Sequence, residues 1–237
     1  GYYPTSIYSP CCSNYQKKPF YLIDVNGDGL NDIVEIESRD FESPATTTRL
    51  VWMNPTKIPG QMKTVSYSSG ATYGFTYKGS AQYKDGSGNS LSPDLPFVIQ
   101  TVNTMSESDG IGNTATTTYE YAGGSYYYNG YLDRKFAGFA RVTTTKPDSS
   151  KIISYYSQGD TTDSGNYEYN DNVSKIGKVY RTDTINSASS TIKRVTTKWD
   201  SYATTSDRYF VYPLQTVTEH DGTAEAISYT YSTFTGN

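Results

Sequence analysis

The residues best suited to chemistry lie near the N-terminus. The run Asp24-Val25-Asn26-Gly27-Asp28-Gly29-Leu30-Asn31-Asp32 sets oxygen-bearing side chains at alternate positions, with glycines between them. A hard cation such as Ca2+ takes roughly six to eight oxygens at short range. Asp24, Asn26 and Asp28 can converge on one point when such a loop curls, and Gly27 and Gly29 permit the curl. The backbone carbonyl of Leu30 and the carboxylate of Asp32 would complete the shell. The expectation is therefore a calcium site; the plainer reading is an acidic turn closed by its own Asx side chains. At ~1 mM calcium and a Kd ten- to a hundredfold lower, occupancy would stabilise the fold by about 1.4–2.7 kcal/mol. That contribution is structural and implies no catalysis.

Other catalytic chemistry finds little to build on. His220 is the only histidine, so a Ser-His-Asp or Cys-His system would have to use it. It sits in Thr218-Glu219-His220-Asp221-Gly222, which reads as an exposed turn. Catalytic zinc commonly takes three protein ligands, often histidines, and one histidine does not supply them. No phosphate-cradling Gly-rich loop followed by Lys-Ser/Thr is present. A carboxylate pair for glycoside hydrolysis stays open, because 24 Asp and Glu are present and their separations are not visible in sequence. The expectation is a chain that is not an enzyme. A second candidate is the aromatic cluster Tyr126-Tyr127-Tyr128-Asn129-Gly130-Tyr131. Tyr126, Tyr127, Tyr128 and Tyr131 could stack on sugars or hold one subunit to another; the bland alternative lays the rings flat on a sheet.

The elements that carry these residues read as strands. Of 237 residues, 25 are Tyr, 35% are hydrophobic and 19% are charged. Branched and aromatic side chains suit a pleated, half-buried surface, whereas helical bundles need more Ala, Glu, Lys and Leu. Period-2 alternation dominates. Val65 and Tyr67, then Ala71, Tyr73, Phe75 and Tyr77, alternate with small polar residues around Ser69-Gly70, the pattern of a tight hairpin. Further strands are expected over Thr116–Tyr121, Arg141–Thr145, Lys151–Tyr156 and around Ile227, Tyr229 and Tyr231. Pro96–Val102 is the most apolar run and is expected to be a strand buried on both faces. Asp85-Gly86, Asp109-Gly110, Gly123-Gly124, Asn129-Gly130, Gly159-Asp160 and Asp221-Gly222 mark turns between them. Asp109-Gly110 leading to Tyr119-Glu120-Tyr121, and Asp221-Gly222 leading to Tyr229-Thr230-Tyr231, form a loose repeat. The fold class expected is all-β, an extended antiparallel sheet with one packed face and one wet face.

Net charge is −4, against a phosphate-binding surface. No run approaches the ~20 apolar residues of a membrane helix. Gly1-Tyr2-Tyr3-Pro4 has neither a basic nor an apolar leader region, and no initiating Met precedes it. The expectation is a fragment or processed piece of a secreted or cell-surface protein. The adjacent Cys11 and Cys12 read as two small thiols, with interchain disulfides or a metal contact as alternatives.

The acidic loop resembles the first half of an EF-hand loop. Its position twelve falls on Glu35 or on nothing, depending on register, and strand residues flank it instead of helices. It is similar to the calcium loop of FG-GAP and related β-repeat proteins. A longer resemblance follows through Asp94–Val102, Asp109–Gly124 and Leu132–Val142, the last holding Lys135-Phe136-Ala137-Gly138-Phe139. Tyr167–Asp171, Ile176-Gly177-Lys178 and Thr197–Asp200 continue it. This order resembles the middle region of the B component of insecticidal toxin complexes, the Salmonella virulence plasmid B protein and the wider Rhs/YD-repeat family, from about residue 20 onward. The first nineteen residues match nothing identifiable. The resemblance implies two regions, 1–55 with the calcium loop and 56–237 of Rhs/YD-type sheet. It implies a sheet that spirals into a hollow shell with a partner subunit and holds a toxin polypeptide, with catalysis residing elsewhere. Partners would be further sheet from a longer chain, a partner shell subunit or copies of this chain, and neither nucleic acid nor a membrane. Two other readings compete: an extracellular adhesin or carbohydrate-binding module, and a self-assembling filament or tube subunit.

Overall fold

The structure, a computed structural model, describes residues 19–39, 46–55, 58, 60–205 and 208–231. Cys11 and Cys12 lie outside the described residues. Two antiparallel sheets account for the strands. The first joins β1 (Phe20–Ile23), β2 (Asp32–Arg39) and β3 (Thr46–Trp52) in that order. The second is a ten-stranded meander in which each strand pairs with the next along the chain. Its strands are β4 (Thr64–Ser66), β5 (Thr72–Gly79), β6 (Gln100–Ser108), β7 (Thr114–Tyr128) and β8 (Arg134–Thr145). They continue through β9 (Lys151–Tyr156), β10 (Val179–Ile185), β11 (Thr191–Thr205), β12 (Arg208–His220) and β13 (Thr223–Ser228). The chain is all-β, as its alternation predicts.

The hairpin around Ser69-Gly70 forms as expected. Val65 pairs with Tyr73, and the Tyr67 amide donates to the Ala71 carbonyl at 2.9 Å. Gly70 takes a positive φ of 88°, which glycine adopts without a Cβ clash. Two longer turns share one device. In Asp85-Gly86-Ser87-Gly88-Asn89 and in Asp109-Gly110-Ile111-Gly112-Asn113, the Asp Oδ1 accepts from the amides two and four residues on. In both, the Asn side-chain amide donates back to Asp Oδ2. This Asp-Gly-x-Gly-Asn unit is the repeat that the fold uses. The looser repeat does not hold: Tyr119 and Tyr121 lie inside β7, whereas β13 ends at Ser228, before Tyr229 and Tyr231. Tyr231 instead packs its ring on Tyr212 at 4.5 Å.

Two further expectations are corrected. Gly123-Gly124 is not a turn but lies within β7. Gly123 has φ 65°, and a Cβ on Gly124 would meet Leu95, Phe139 and Ser92 at 3.0–3.2 Å. The pair is bare so that the segment 80–99 can press onto the strand: Gly123 N donates to Leu91 O at 2.7 Å and Gly124 N to Ser92 Oγ at 2.9 Å. Pro96–Ile99 is likewise no strand, and β6 begins only at Gln100. Its apolar side chains serve as a cover. Phe97, still 39% exposed, meets Tyr126 edge-on at 5.5 Å and Phe136 at 6.2 Å. From there an aromatic chain runs through Phe139 and Tyr121 to Tyr83.

The buried apolar side chains among the described residues are Tyr83, Ala122, Ala137 and Tyr180, a small set for so wide a sheet. Buried polar groups accompany them, including Asp32, Glu35, Ser92, Thr101, Glu168, Lys175, Arg181 and Asp183. No buried side-chain nitrogen or oxygen among the described residues lacks a hydrogen-bond partner, as burial requires.

Candidate functional site

The acidic loop joins β1 to β2 and packs against the large sheet. Asp24 is its hub: Oδ1 accepts from the amides of Gly27 at 2.7 Å and Asp28 at 3.1 Å, and Oδ2 from Gly29 at 2.8 Å. Asn26 and Asp28 close a smaller ring, with Asp28 N donating to Asn26 Oδ1 and Asn26 Nδ2 to Asp28 Oδ2, both at 2.9 Å. Leu30 N donates to Asp28 Oδ1 at 2.8 Å. Gly27 and Gly29 have φ of 74° and 85°, the left-handed conformations that the curl demands. Asp32 is fully buried, and its two oxygens accept from Asn54 N at 2.7 Å and Val25 N at 3.0 Å. These amides hold its carboxyl below the usual carboxylate range against the opposing effect of burial, with Asn54 the largest cause.

β6 and the short helical turn after β5 (Ser80–Gln82) grip the loop through its carbonyls. Gln82 Nε2 donates to Asn26 O at 3.3 Å, and Gln100 Nε2 donates to Asp28 O. Gly27 lies against Ala81, and Gly79 lies against the Gly27 carbonyl so closely that a Cβ there would collide with it. A cleft of about 450 Å3 opens beside the joint, lined by Asp28, Leu30, Lys63, Tyr77 and Gln100 among others.

This geometry gathers Asp24, Asn26 and Asp28 in one turn, with Leu30 at its exit. Asp32 faces inward to backbone amides instead. No group of three or more His, Cys, Asp or Glu side chains suited to a metal forms among the described residues. Glu35 does occupy position twelve counted from Asp24, which completes the twelve-residue spacing. It is 8% exposed within β2, where strand alternation sends Asp32 and Glu35 to opposite faces. Side-chain oxygens stand at loop positions one, three and five, and the Leu30 carbonyl at seven, which are donor types that hard cations take.

The four tyrosines do not share a platform. Tyr126, Tyr127 and Tyr128 alternate along the end of β7. Tyr126 packs on Phe97, whereas the Tyr127 hydroxyl donates to Asp133 Oδ2 at 3.4 Å under Lys135. Tyr128 and Tyr131 are 63% and 77% exposed, the latter beside Arg134 at 5.2 Å. His220 ends β12 and faces Asp221, with Nδ1 at 3.0 Å from Oδ2, both side chains well exposed.

A buried charge cluster goes unnoticed in sequence. Asp183 accepts from Arg181 Nε at 3.0 Å and from Arg194 Nε at 2.9 Å. Arg181 also lies over the rings of Tyr155 at 4.8 Å and Tyr167 at 5.5 Å. Its Nη1 donates to Asn166 Oδ1 at 2.8 Å, which pins the segment 157–178 to β10. At the other end of that segment Gln158 Nε2 donates to the carbonyls of Gly123 and Gly138. The signal was the Arg181-x-Asp183 alternation, but its partner Arg194 depends on strand register.

Comparison with known proteins bears on this architecture. The sequence matches the family described as insecticide toxin TcdB middle/N-terminal region over residues 4–168. The match starts ahead of residue 20, so most of the N-terminal stretch is covered, and it stops short of the expected similarity beyond Asp171. No curated protein sequence matches the chain. Among solved structures, the crystal structure of TcdB2-TccC3-TEV has a similar fold, with a TM-score of 0.65 and 18% identity. The similarity covers 85% of this chain and 12% of that one, so this chain spans a small part of its structural relative. Over most of its length, then, the chain is a member of the insecticide toxin TcdB middle/N-terminal region family.

Proposed function

We propose that this chain is a non-catalytic wall module of a secreted, toxin-complex-like shell that encloses a polypeptide cargo. The observation that carries the reading is the ten-stranded meander, which among the described residues has few buried apolar side chains and an outer strand with one unpaired flank. All six residues of β13 are exposed, and unpaired strand edges favour pairing with further strands. Large apolar side chains such as Tyr202, Phe210 and Ile227 are 55–59% exposed. A sheet of this kind is suited to being one stretch of a larger wall, from a longer chain, a partner subunit or other copies. Tyr128 and Tyr131, at the β7–β8 tip, are the tyrosines available for contacts in that assembly. Size-exclusion chromatography with light scattering tests the reading. Association into a larger species is expected, and a strict, stable monomer across concentrations would count against it.

We further propose that the acidic loop holds calcium through Asp24, Asn26, Asp28 and the Leu30 carbonyl. Asp32 supports the loop from below and joins the shell only if its amide bonds yield. Bound calcium would supply charge compensation for the carboxylates of Asp24 and Asp28 and stiffen the joint between the sheets. Chelation is expected to lower the melting temperature by a few degrees, in line with about 1.4–2.7 kcal/mol of linkage. An unchanged melting curve together with no calcium by elemental analysis would remove the proposal.

A further inference from the structure

The chain contains two Asn-Gly pairs, Asn26-Gly27 and Asn129-Gly130. Asn followed by Gly is chemically labile, because glycine leaves the next backbone nitrogen unhindered. We propose that Asn129 is a site of spontaneous deamidation and that the fold shields Asn26 from the same reaction. In this reaction the Gly130 nitrogen attacks Cγ of Asn129. A nitrogen–Cγ bond forms, the Cγ–Nδ2 bond breaks, and Nδ2 leaves as ammonia, taking the amide proton. Water then opens the five-membered imide at either carbonyl, giving aspartate or isoaspartate. No oxidant or reductant takes part.

The two sites differ in what holds the attacking nitrogen. Gly27 N donates to Asp24 Oδ1 at 2.7 Å. The Asn26 side chain is fixed at both ends by Asp28, through Oδ1 and through Nδ2. Gly27 is also pressed against Ala81, 3.0 Å from where a Cβ would lie. Attack at Asn26 requires these contacts to open together. Gly130 N makes no hydrogen bond to the described residues, and nothing lies within 4 Å of a Cβ built there. Asn129 and Gly130 are both exposed. Asn129 Nδ2, the departing group, donates to Asp133 Oδ2 at 3.2 Å.

Conversion has a consequence at the β7–β8 tip. A donor to Asp133 is replaced by a second carboxylate, and two like charges then share the turn. The Tyr127 hydroxyl, which also donates to Asp133 Oδ2, sits in the same turn.

The test is incubation of the whole chain at mildly alkaline pH, followed by proteolysis and peptide mass measurement at both sites, with a urea-unfolded sample in parallel. In the folded chain Asn129 should convert about tenfold to a hundredfold faster than Asn26, the protection expected when a small hydrogen-bonded network must open. In urea the two rates should converge, and Asn129→Gln should abolish the fast reaction. Equal rates in the folded chain, faster conversion at Asn26, or an inert Asn129 in folded protein would overturn the proposal.

Discussion

Asp183 is the carboxylate that the charge cluster of β10 and β11 is built on. Burial pushes its carboxyl up, but hydrogen bonds from Arg181 and then Arg194, reinforced by their charges, outweigh burial and hold it below the usual range. Its side chain is 5% exposed and that of Arg181 is 10% exposed. Removing the carboxylate leaves two guanidinium groups beside each other without their shared partner. Asp183→Ala is therefore expected to cost about 3–5 kcal/mol in denaturant unfolding, and a loss below about 1 kcal/mol would contradict the account. The pH dependence follows from the sign of the shift. A depressed folded pKa means that the stabilisation is fully present above the ordinary value of 3.8 and is lost as pH falls through the folded value. The gap between wild type and Asp183→Ala should narrow only in that acid window. The Arg181-x-Asp183 alternation was readable in sequence. The pairing of Asp183 with Arg194 came from the β10–β11 register, which a string of residues does not specify.

At the scale of elements, the joint between the two sheets rests on glycines that face each other. A Cβ on Gly79 would collide with the Gly27 carbonyl and lie 2.9 Å from Val98 Cγ1. Gly79→Ala should cost about 1–3 kcal/mol, the usual penalty of overpacking a tight contact. Gly86→Ala is the matched control, because nothing lies within 4 Å of its Cβ position, and it should stay within about 0.5 kcal/mol. Calorimetry on the two variants decides the point, and equal melting temperatures would show that the close approach is not a constraint. The turns themselves were legible, since Asp-Gly and Ser-Gly carry their own chemistry. The fate of Pro96–Ile99 was not. An apolar run reads as a buried strand until the segment is seen lying across β7 and β8 as their cover.

For the whole molecule, the exposed flank of β13 is the place where association is expected. Ile227 is 59% exposed there and pairs with Thr216 on its inner side. A lysine on an edge strand discourages pairing with another edge. Ile227→Lys should thus reduce association in light scattering while leaving the melting temperature nearly unchanged. Undiminished association in that variant would move the contact away from this edge. The sheet-forming character needed no coordinates, because alternation of Tyr and Thr with small polar residues is a local property. The resemblance carried by residues 94–142 was likewise local, and the family match spans that stretch.

What the sequence determined by itself was therefore the strand content, most turns and the oxygen-rich loop, which follow from spacing between near neighbours, together with the family, which follows from resemblance to known members. Tertiary structure decided where Gly123-Gly124 and Phe97 act, which charges meet in the Arg181–Asp183–Arg194 cluster, and how Asp32 turns inward. The physical reason is distance along the chain. Asp32 meets Asn54, Gln100 meets Asp28, and Gln158 meets Gly123 across separations that only strand register and packing bring together.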